Sequence, residues 1–409
     1  MKISNCRVCD SEDLIETLDL GMQPWCNDFI LKDDLESVIK YPLSTVFCSN
    51  CSTFQVQYTV PKEIMFKEHT YLSGSNASMP EHFQKISDKV CSSYIQDAKF
   101  VVDIGSNDGT LLKSYKNKGL DVLGVEPCND AANIAIEDGV PTKKTFFNYD
   151  VAQEIHKEMG CADIVSAANV FYHVEELHDI VKGIKFLLSE NGVFVVQGTY
   201  LPNLIERNEF DIIYHEHLLY YRIENLNYLL NMHDLEIFDV DFEEVHGGSM
   251  IAYIGHLSHR KISDNVVNQI EYEKSLGYDT ITPYKNFSKQ VEDVKISLNN
   301  LLNQLINEGK TVYAYGAPAK GTVLLNYCGI DSNLIPISVE VNKAKIGRYF
   351  PGVNIEVVDE SKVEEPDYYL LLSWNFLDVF KRSQAYQSGA RKFIVPVPHP
   401  EIVSNFVIS

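Results

Sequence analysis

Basic side chains are in short supply. The 409 residues carry 35 Lys and Arg against 57 Asp and Glu, a formal charge of −22. A nucleic-acid partner normally demands a basic face, so none is expected. A small anionic ligand is not excluded, since a few local cations suffice to hold one. Long apolar runs are missing as well, and nothing reaches membrane-spanning length. No membrane partner is therefore expected. No charged-then-apolar leader opens the chain, and a cytoplasmic location is expected. Low-complexity tracts and short tandem repeats are also absent. The composition is otherwise that of a globular protein, and the length exceeds what one core usually holds, so two or three domains are expected.

The nine cysteines are read as metal ligands or reduced core residues rather than disulfides. Four of them form two C-x-x-C knuckles, Cys6-Arg7-Val8-Cys9 and Cys48-Ser49-Asn50-Cys51. Two thiolates from each complete a closed tetrahedral zinc site, which has no open position and is therefore structural. The alternative is a set of buried free thiols or a redox pair.

The most informative stretch follows further on. Phe100 to Ile104 reads as a buried strand, Thr110 to Lys118 as a helix and Leu120 to Val125 as a second strand. The turn Gly105-Ser106-Asn107-Asp108-Gly109 lies between strand and helix, and Glu126 ends the second strand. This builds half of a doubly wound nucleotide site, in which the acid takes the two hydroxyls of a ribose. Ser106-Asn107 stands where a second glycine of G-x-G-x-x-G would be. A pyrophosphate-binding turn is thus disfavoured, and S-adenosylmethionine, which has adenosine but no phosphate, fits better. Asp103, Gly105, Asn107, Asp108 and Glu126 are the expected cofactor-binding residues. Asn169 joins them, because ligands of such folds sit beyond the carboxyl ends of strands.

Residues 61–97 read as helical, and 162–168, 193–197 and 251–255 as strands. A long helix over roughly 284–309 shows one apolar face: Phe287, Val291, Val294, Leu298, Leu301 and Leu305. A second α/β unit follows. It has a strand over 311–315, a loop from Gly316 to Gly321, a helix over 322–328, a strand ending at Glu340, and further strands over 368–372 and 393–397. The expected domains are 1–60, 61–283 and 284–409.

Phe210-Asp211-Ile212-Ile213-Tyr214-His215-Glu216-His217 is the densest polar cluster. On a strand, the i, i+2 spacing would place His215 and His217 on one side. Histidine accepts a proton near neutral pH, and a neighbouring tyrosine can stabilise an oxyanion. The alternative is a loop whose histidines satisfy backbone groups. His173 follows a strand end and gains weight from that. Lys320, helped by backbone N–H groups, suits a phosphate, and Lys343, Lys345 and Arg348 add positive charge. Here the alternative is a solvated lysine cluster.

Nearly the full chain resembles the sugar C-methyltransferases that act on nucleotide-linked 4-keto deoxysugars. The resemblance rests on both knuckles and on Thr70-Tyr71-Leu72-Ser73-Gly74-Ser75. It extends through Val102 to Leu112, Gly124-Val125-Glu126-Pro127, Asn169 to Val174, Tyr214 to His217 and His246-Gly247-Gly248-Ser249. It closes with Ala314 to Gly321 and Lys345 to Gly352. It implies an α/β protein with a small N-terminal zinc-binding domain, a central Rossmann-like class I methyltransferase domain and a C-terminal Rossmann-like domain. It places the base at His217, with Tyr71, His173, Tyr214 and Glu216 lining the same site. Lys320, Arg348 and His246 are the expected substrate-binding side chains, S-adenosylmethionine and zinc the cofactors, a nucleotide sugar the substrate, and a monomer the state. Departures from the family pattern are Ile251, where an Arg is common two residues after Ser249, Gln197, near which a Glu is common, and Glu340, where an Asp is common. The rival readings are an O-methyltransferase on the same scaffold, an NAD-dependent enzyme using the Gly316 loop, and a non-catalytic nucleotide-sugar-binding protein.

Overall fold

The computed structural model describes residues 1–66, 72–75 and 78–405. Three sheets organise the chain. The first is antiparallel, with strands in the order Leu14–Pro24, Lys40–Cys48, Phe54–Val56 and Leu219–Tyr220. Its last strand comes from the middle of the sequence, so the segment around His217 is stitched to the N-terminal module.

The second sheet has seven strands. Their order is Leu235–Glu243, Ser249–His256, Leu188–Thr199, Ala162–Ala168, Phe100–Ile104, Asp121–Val125 and Thr142–Lys143. The last five are parallel, while Ser249–His256 runs antiparallel to both of its neighbours. The parallel strands are apolar along their length because helices cover both faces. Strand order reverses between Phe100–Ile104 and Ala162–Ala168, and the crevice beyond their carboxyl ends is where such sheets take ligands.

The third sheet has the order Glu356–Asp359, Ile337–Glu340, Val312–Tyr315, Tyr368–Leu371, Lys392–Val395 and Glu401–Ser404, antiparallel only at the last pair. The long helix runs from Thr282 to Asn307. It buries Leu302 rather than Leu301, so its stripe steps by four from Leu298 and then by three to Leu305. That stripe shares one continuous core with Leu18, Phe47 and Phe54 of the first sheet, Leu204 and Phe210 of the middle segment, and Leu324 and Leu370 of the third. The first and third sheets and the 201–220 segment are thus packed around one apolar centre, while the seven-stranded sheet has core clusters of its own.

Local expectations needed adjustment at several points. Residues 61–97 hold a short helix at Lys62–Phe66, a 3-10 turn at Ser73–Ser75, a helix at Met79–Lys89 and a π turn at Val90–Tyr94. The helix expected from Thr322 begins at Ala319, with Pro318 in extended backbone as its N-cap. Lys320 therefore sits on a helix and not in a loop. Phe210–Ile212 is a 3-10 turn and residues 213–218 form no strand. The strand-based pairing of His215 with His217 consequently fails.

Candidate active site and metal centre

The four knuckle sulfurs converge. All lie within 4.8 Å of one another, with Cys6 to Cys51 at 3.6 Å and Cys9 to Cys48 at 3.5 Å. A tetrahedron with metal–sulfur bonds of ~2.3 Å has edges of roughly 3.8 Å, close to these separations, so the donor set fits zinc. Cys6, Cys48 and Cys51 are buried, and four thiolates would fill a tetrahedral zinc shell. Gln55 donates its amide Nε2–H to the Cys6 sulfur at 3.1 Å, a bond that favours the thiolate.

The glycine turn lies at the carboxyl ends of the parallel strands. Gly105 has φ +65°, and its N–H reaches the Val125 carbonyl at 2.8 Å. A Cβ there would come within 2.5 Å of Val170 Cγ2. The close approach that requires glycine is thus to Val170, beside Asn169. The Glu126 carboxylate is buried. It accepts the N–H of Asn107 at 2.9 Å and of Cys128 at 2.7 Å, which aims it along the strand end. The Asn107 side chain accepts the Ser73 N–H at 2.9 Å, and Asp108 accepts the Gly74 N–H at 2.7 Å. These two side chains therefore anchor the Ser73–Ser75 turn over the crevice. Asp103 is buried and takes the Ser166 hydroxyl at 2.6 Å. Burial pushes its carboxyl up to about 7, and neighbouring Glu126 pushes the same way. Asn169 holds φ +58° immediately after its strand. A buried carboxylate, turned N–H groups and an asparagine at a strand-order reversal are the donors and acceptors that an adenosine with a ribose diol needs.

Next to that crevice is a ring cluster. Tyr172 donates its hydroxyl to Asn169 Oδ1 at 3.3 Å, and a Cβ on Gly198 would lie only 2.8 Å from its ring. His217 lies against Tyr214 (3.9 Å between centroids), Tyr172 (4.7 Å) and His173 (5.0 Å, near parallel). His217 Nδ1 is 2.8 Å from the Ile212 carbonyl. A carbonyl only accepts, so Nδ1 carries the proton, and in the neutral ring Nε2 holds the lone pair. Burial drives the Tyr214 hydroxyl well above its usual range, and Glu216 adds to this, so it stays protonated and able to donate.

Glu216 Oε1 accepts from Trp25 Nε1 and Asn27 Nδ2, both at 2.7 Å. His215 points elsewhere: its Nε2 donates to the Pro42 carbonyl at 3.2 Å, and burial lowers it to about 4. It is a neutral support for the N-terminal sheet. Lys320 places its ammonium 3.5 Å from the Trp374 ring centre. Burial brings it down to about 8, against the pull of Asp211 and Glu209. Arg348 donates to the Phe29 carbonyl at 2.9 Å, a tie between the C-terminal and N-terminal modules. Tyr71 and the His246 side chain lie outside the described residues. Trp25, Asn27 and Trp374 lie in no sequence motif. Asp211 and Tyr172 lie inside two runs already noted, Phe210 to His217 and Asn169 to Val174, which are the signals that could have named them.

Residues 6–66 match a zinc binding domain model, 78–240 a methyltransferase domain model and 244–398 a C-methyltransferase C-terminal domain model. C-methyltransferase NovU of Streptomyces niveus is 30% identical over 409 residues, covering 98% of this chain and 97% of that protein. The chain belongs to this C-methyltransferase family. It is an S-adenosylmethionine-dependent methyltransferase with a zinc-binding N-terminal module. Partial overlays exist with the CcbJ methyltransferase of Streptomyces caelestis and the magnesium protoporphyrin IX methyltransferase ChlM of Synechocystis PCC 6803. The first is 14% identical, covers 43% of this chain and 90% of that one, and has a TM-score of 0.34. The second is 13% identical, covers 46% and 84%, and has a TM-score of 0.33. Family membership stands on the full-length relative.

Two departures from the family pattern turn out to be neighbours. Ile251 lies directly opposite Gln197 across adjacent strands, and both are buried. Gln197 Oε1 is bonded to His82 Nε2 at 2.9 Å.

Proposed function

We propose that the enzyme methylates a carbon of a nucleotide-linked keto deoxysugar in the cytoplasm, with His217 as the base. The observation that carries this is the Ile212 carbonyl on His217 Nδ1, which turns the lone pair of Nε2 away from the backbone. A carbonyl on the adjacent carbon acidifies the sugar C–H. Nε2 takes that proton, the C–H electron pair becomes the carbon–carbon π bond of an enolate, and the carbonyl π pair moves onto oxygen. The Tyr214 hydroxyl, kept protonated by its surroundings, donates to the oxygen where charge collects. His173 and Tyr172 fix the plane of the imidazole, and Glu216 steadies the imidazolium that forms. The Glu126 carboxylate and the Gly105 turn hold adenosine. S-adenosylmethionine held there would supply the methyl group to the enolate carbon, its methyl–sulfur bond breaking with the electron pair left on the sulfur of S-adenosylhomocysteine. Lys320 faces the nucleotide phosphates.

Solvent exchange tests this reading. A TDP-linked 4-keto deoxysugar incubated in deuterium oxide with the enzyme should take up deuterium at the carbon that becomes methylated. His217→Asn should abolish that uptake. Methylation at a hydroxyl with no deuterium in the ring carbons would replace the reading with O-methylation, which needs alignment and a general base but no enolate.

A further inference from the structure

The chain has two tryptophans. They come from different flanking modules and do the same thing at opposite ends of one segment. Trp25 Nε1 donates to Glu216 Oε1 at 2.7 Å, and Trp374 Nε1 donates to Asp211 Oδ2 at 2.7 Å. Asp211 is fully buried, and its other oxygen has no hydrogen-bond partner. Burial raises this carboxyl, and the field of Lys320, the indole bond and its own backbone N–H offset part of that cost. The residue after Asp211 is Ile212, whose carbonyl receives His217 Nδ1 at 2.8 Å and the Tyr220 hydroxyl at 3.3 Å. One 3-10 turn, Phe210–Ile212, thus joins an interdomain hydrogen bond to the hydrogen bond that sets the His217 tautomer.

We infer that Trp374 is a positioning residue for the base. From the C-terminal module it holds Asp211, and through the Phe210–Ile212 turn it keeps the Ile212 carbonyl on His217 Nδ1, so that Nε2 presents its lone pair. This rests on the reading of His217 as base. A 3-10 turn of three residues has little of its own to resist rotation. With the indole N–H removed, the buried carboxyl loses its short donor and the turn keeps its apolar packing through Phe210 but loses its polar tie to the C-terminal module. The imidazole then samples the Nε2–H tautomer, in which the nitrogen facing the substrate cannot accept a proton. Trp25 acts on Glu216, five residues further along, and does not touch the Ile212 carbonyl.

The test uses full-length, zinc-loaded enzyme labelled with ¹⁵N-histidine. The His217 signals are those missing from His217→Asn. In the wild type they should report a protonated Nδ1. Trp374→Phe keeps a ring over Lys320 but has no N–H, and should show a mixture of both tautomers. With a TDP-linked 4-keto deoxysugar its kcat should fall about 10- to 100-fold, with KM and S-adenosylmethionine affinity little changed, as expected for a misplaced catalytic group. Should Trp374→Phe fail to fold, Asp211→Asn and Asp211→Ala carry the test. The first keeps an acceptor oxygen for the indole and should retain the wild-type tautomer. The second should reproduce the mixture. An unchanged tautomer in both Trp374→Phe and Asp211→Ala overturns the inference. So does an equal tautomer change in Trp25→Phe, because any loosening of the segment would then suffice. Wild-type turnover in His217→Asn would instead sink the underlying reading of the base.

Discussion

Two turns in this chain are built alike and do different work. In the methyltransferase module the Gly105 N–H meets the Val125 carbonyl at 2.8 Å, and Glu126 accepts N–H groups from Asn107 and Cys128. In the C-terminal module the Gly316 N–H meets the Val339 carbonyl at 2.8 Å, and Glu340 accepts N–H groups from Ala317 at 2.8 Å and Asn342 at 3.0 Å. In both, the acid ends the second strand and also takes the N–H two residues on. The surroundings differ. The first turn faces a crevice edged by Ser73–Ser75 and Asn169. The second is covered: Lys345 donates to the Ala317 carbonyl at 2.6 Å and lies over the Phe29 ring, while Thr322 donates to the Cys26 carbonyl at 3.0 Å. A strand, turn and acid fix a backbone shape. Whether that shape holds a cofactor or another domain depends on what packs on it, and this weighs against the Gly316 loop as a dinucleotide site.

The largest way to break the comparison is to remove what covers the second turn. The 25–30 segment belongs to the module that the knuckles hold together. Cys48→Ser should lose zinc, and with it folding energy, since structural zinc binding is worth about 10–16 kcal/mol in small domains. Metal analysis and thermal melting should both show the loss. A variant that keeps its zinc and its melting temperature would refute a structural site. His217→Asn comes next. It should leave the first turn intact, so S-adenosylmethionine affinity by calorimetry stays the same, while turnover drops by about 10²–10⁴, the span of general-base catalysis. A loss of cofactor affinity of similar size would place His217 in the cofactor site instead.

How much of this was readable in advance follows from range along the chain. The 100–126 unit was legible because its signals are local: a buried strand, a glycine turn, a helix and an acid within one stretch. The doubled knuckle was legible because two short spacings repeat. The rest depends on partners far apart in sequence. The strand Leu219–Tyr220 pairs with Phe54 and Gln55, and two residues cannot announce such a partner. His215 and His217 looked equivalent at i, i+2, yet the turn sends one to the Pro42 carbonyl and the other into the ring cluster. Lys320 and Arg348 read as a cationic patch. In the fold, Arg348 bonds to a neighbouring module, and the Lys320 ammonium sits over Trp374 with Asp211 and Glu209 nearby. Trp25, Asn27 and Trp374 gave no local signal, because their hydrogen-bond partners lie 163 to 191 positions away.

Glu126→Ala sharpens the comparison at the first turn. It removes the acceptor proposed for the ribose hydroxyls, and S-adenosylmethionine binding should weaken by about 1.5–3 kcal/mol, the range for hydrogen bonds to a charged group. Titration calorimetry reads this directly, and unchanged affinity would move the ribose elsewhere.

Glu340→Ala is the matching change at the second turn and should have the smallest effect. Its carboxylate accepts backbone N–H groups from Ala317, Val341 and Asn342, so its removal strands three donors. Val341 and Asn342 are exposed, and water can take over their N–H groups. Only the Ala317 N–H, on a buried residue, is left without a ready substitute. The cost should therefore sit near the low end for one unsatisfied buried group, about 1 kcal/mol, seen as a melting shift of a few degrees at most. S-adenosylmethionine affinity should not change, because among the described residues no hydrogen bond joins this turn to the Gly105 turn or to Glu126. Should Glu340→Ala weaken cofactor binding as much as Glu126→Ala, the two turns would share a function as well as a shape, and the distinction drawn from their surroundings would be wrong.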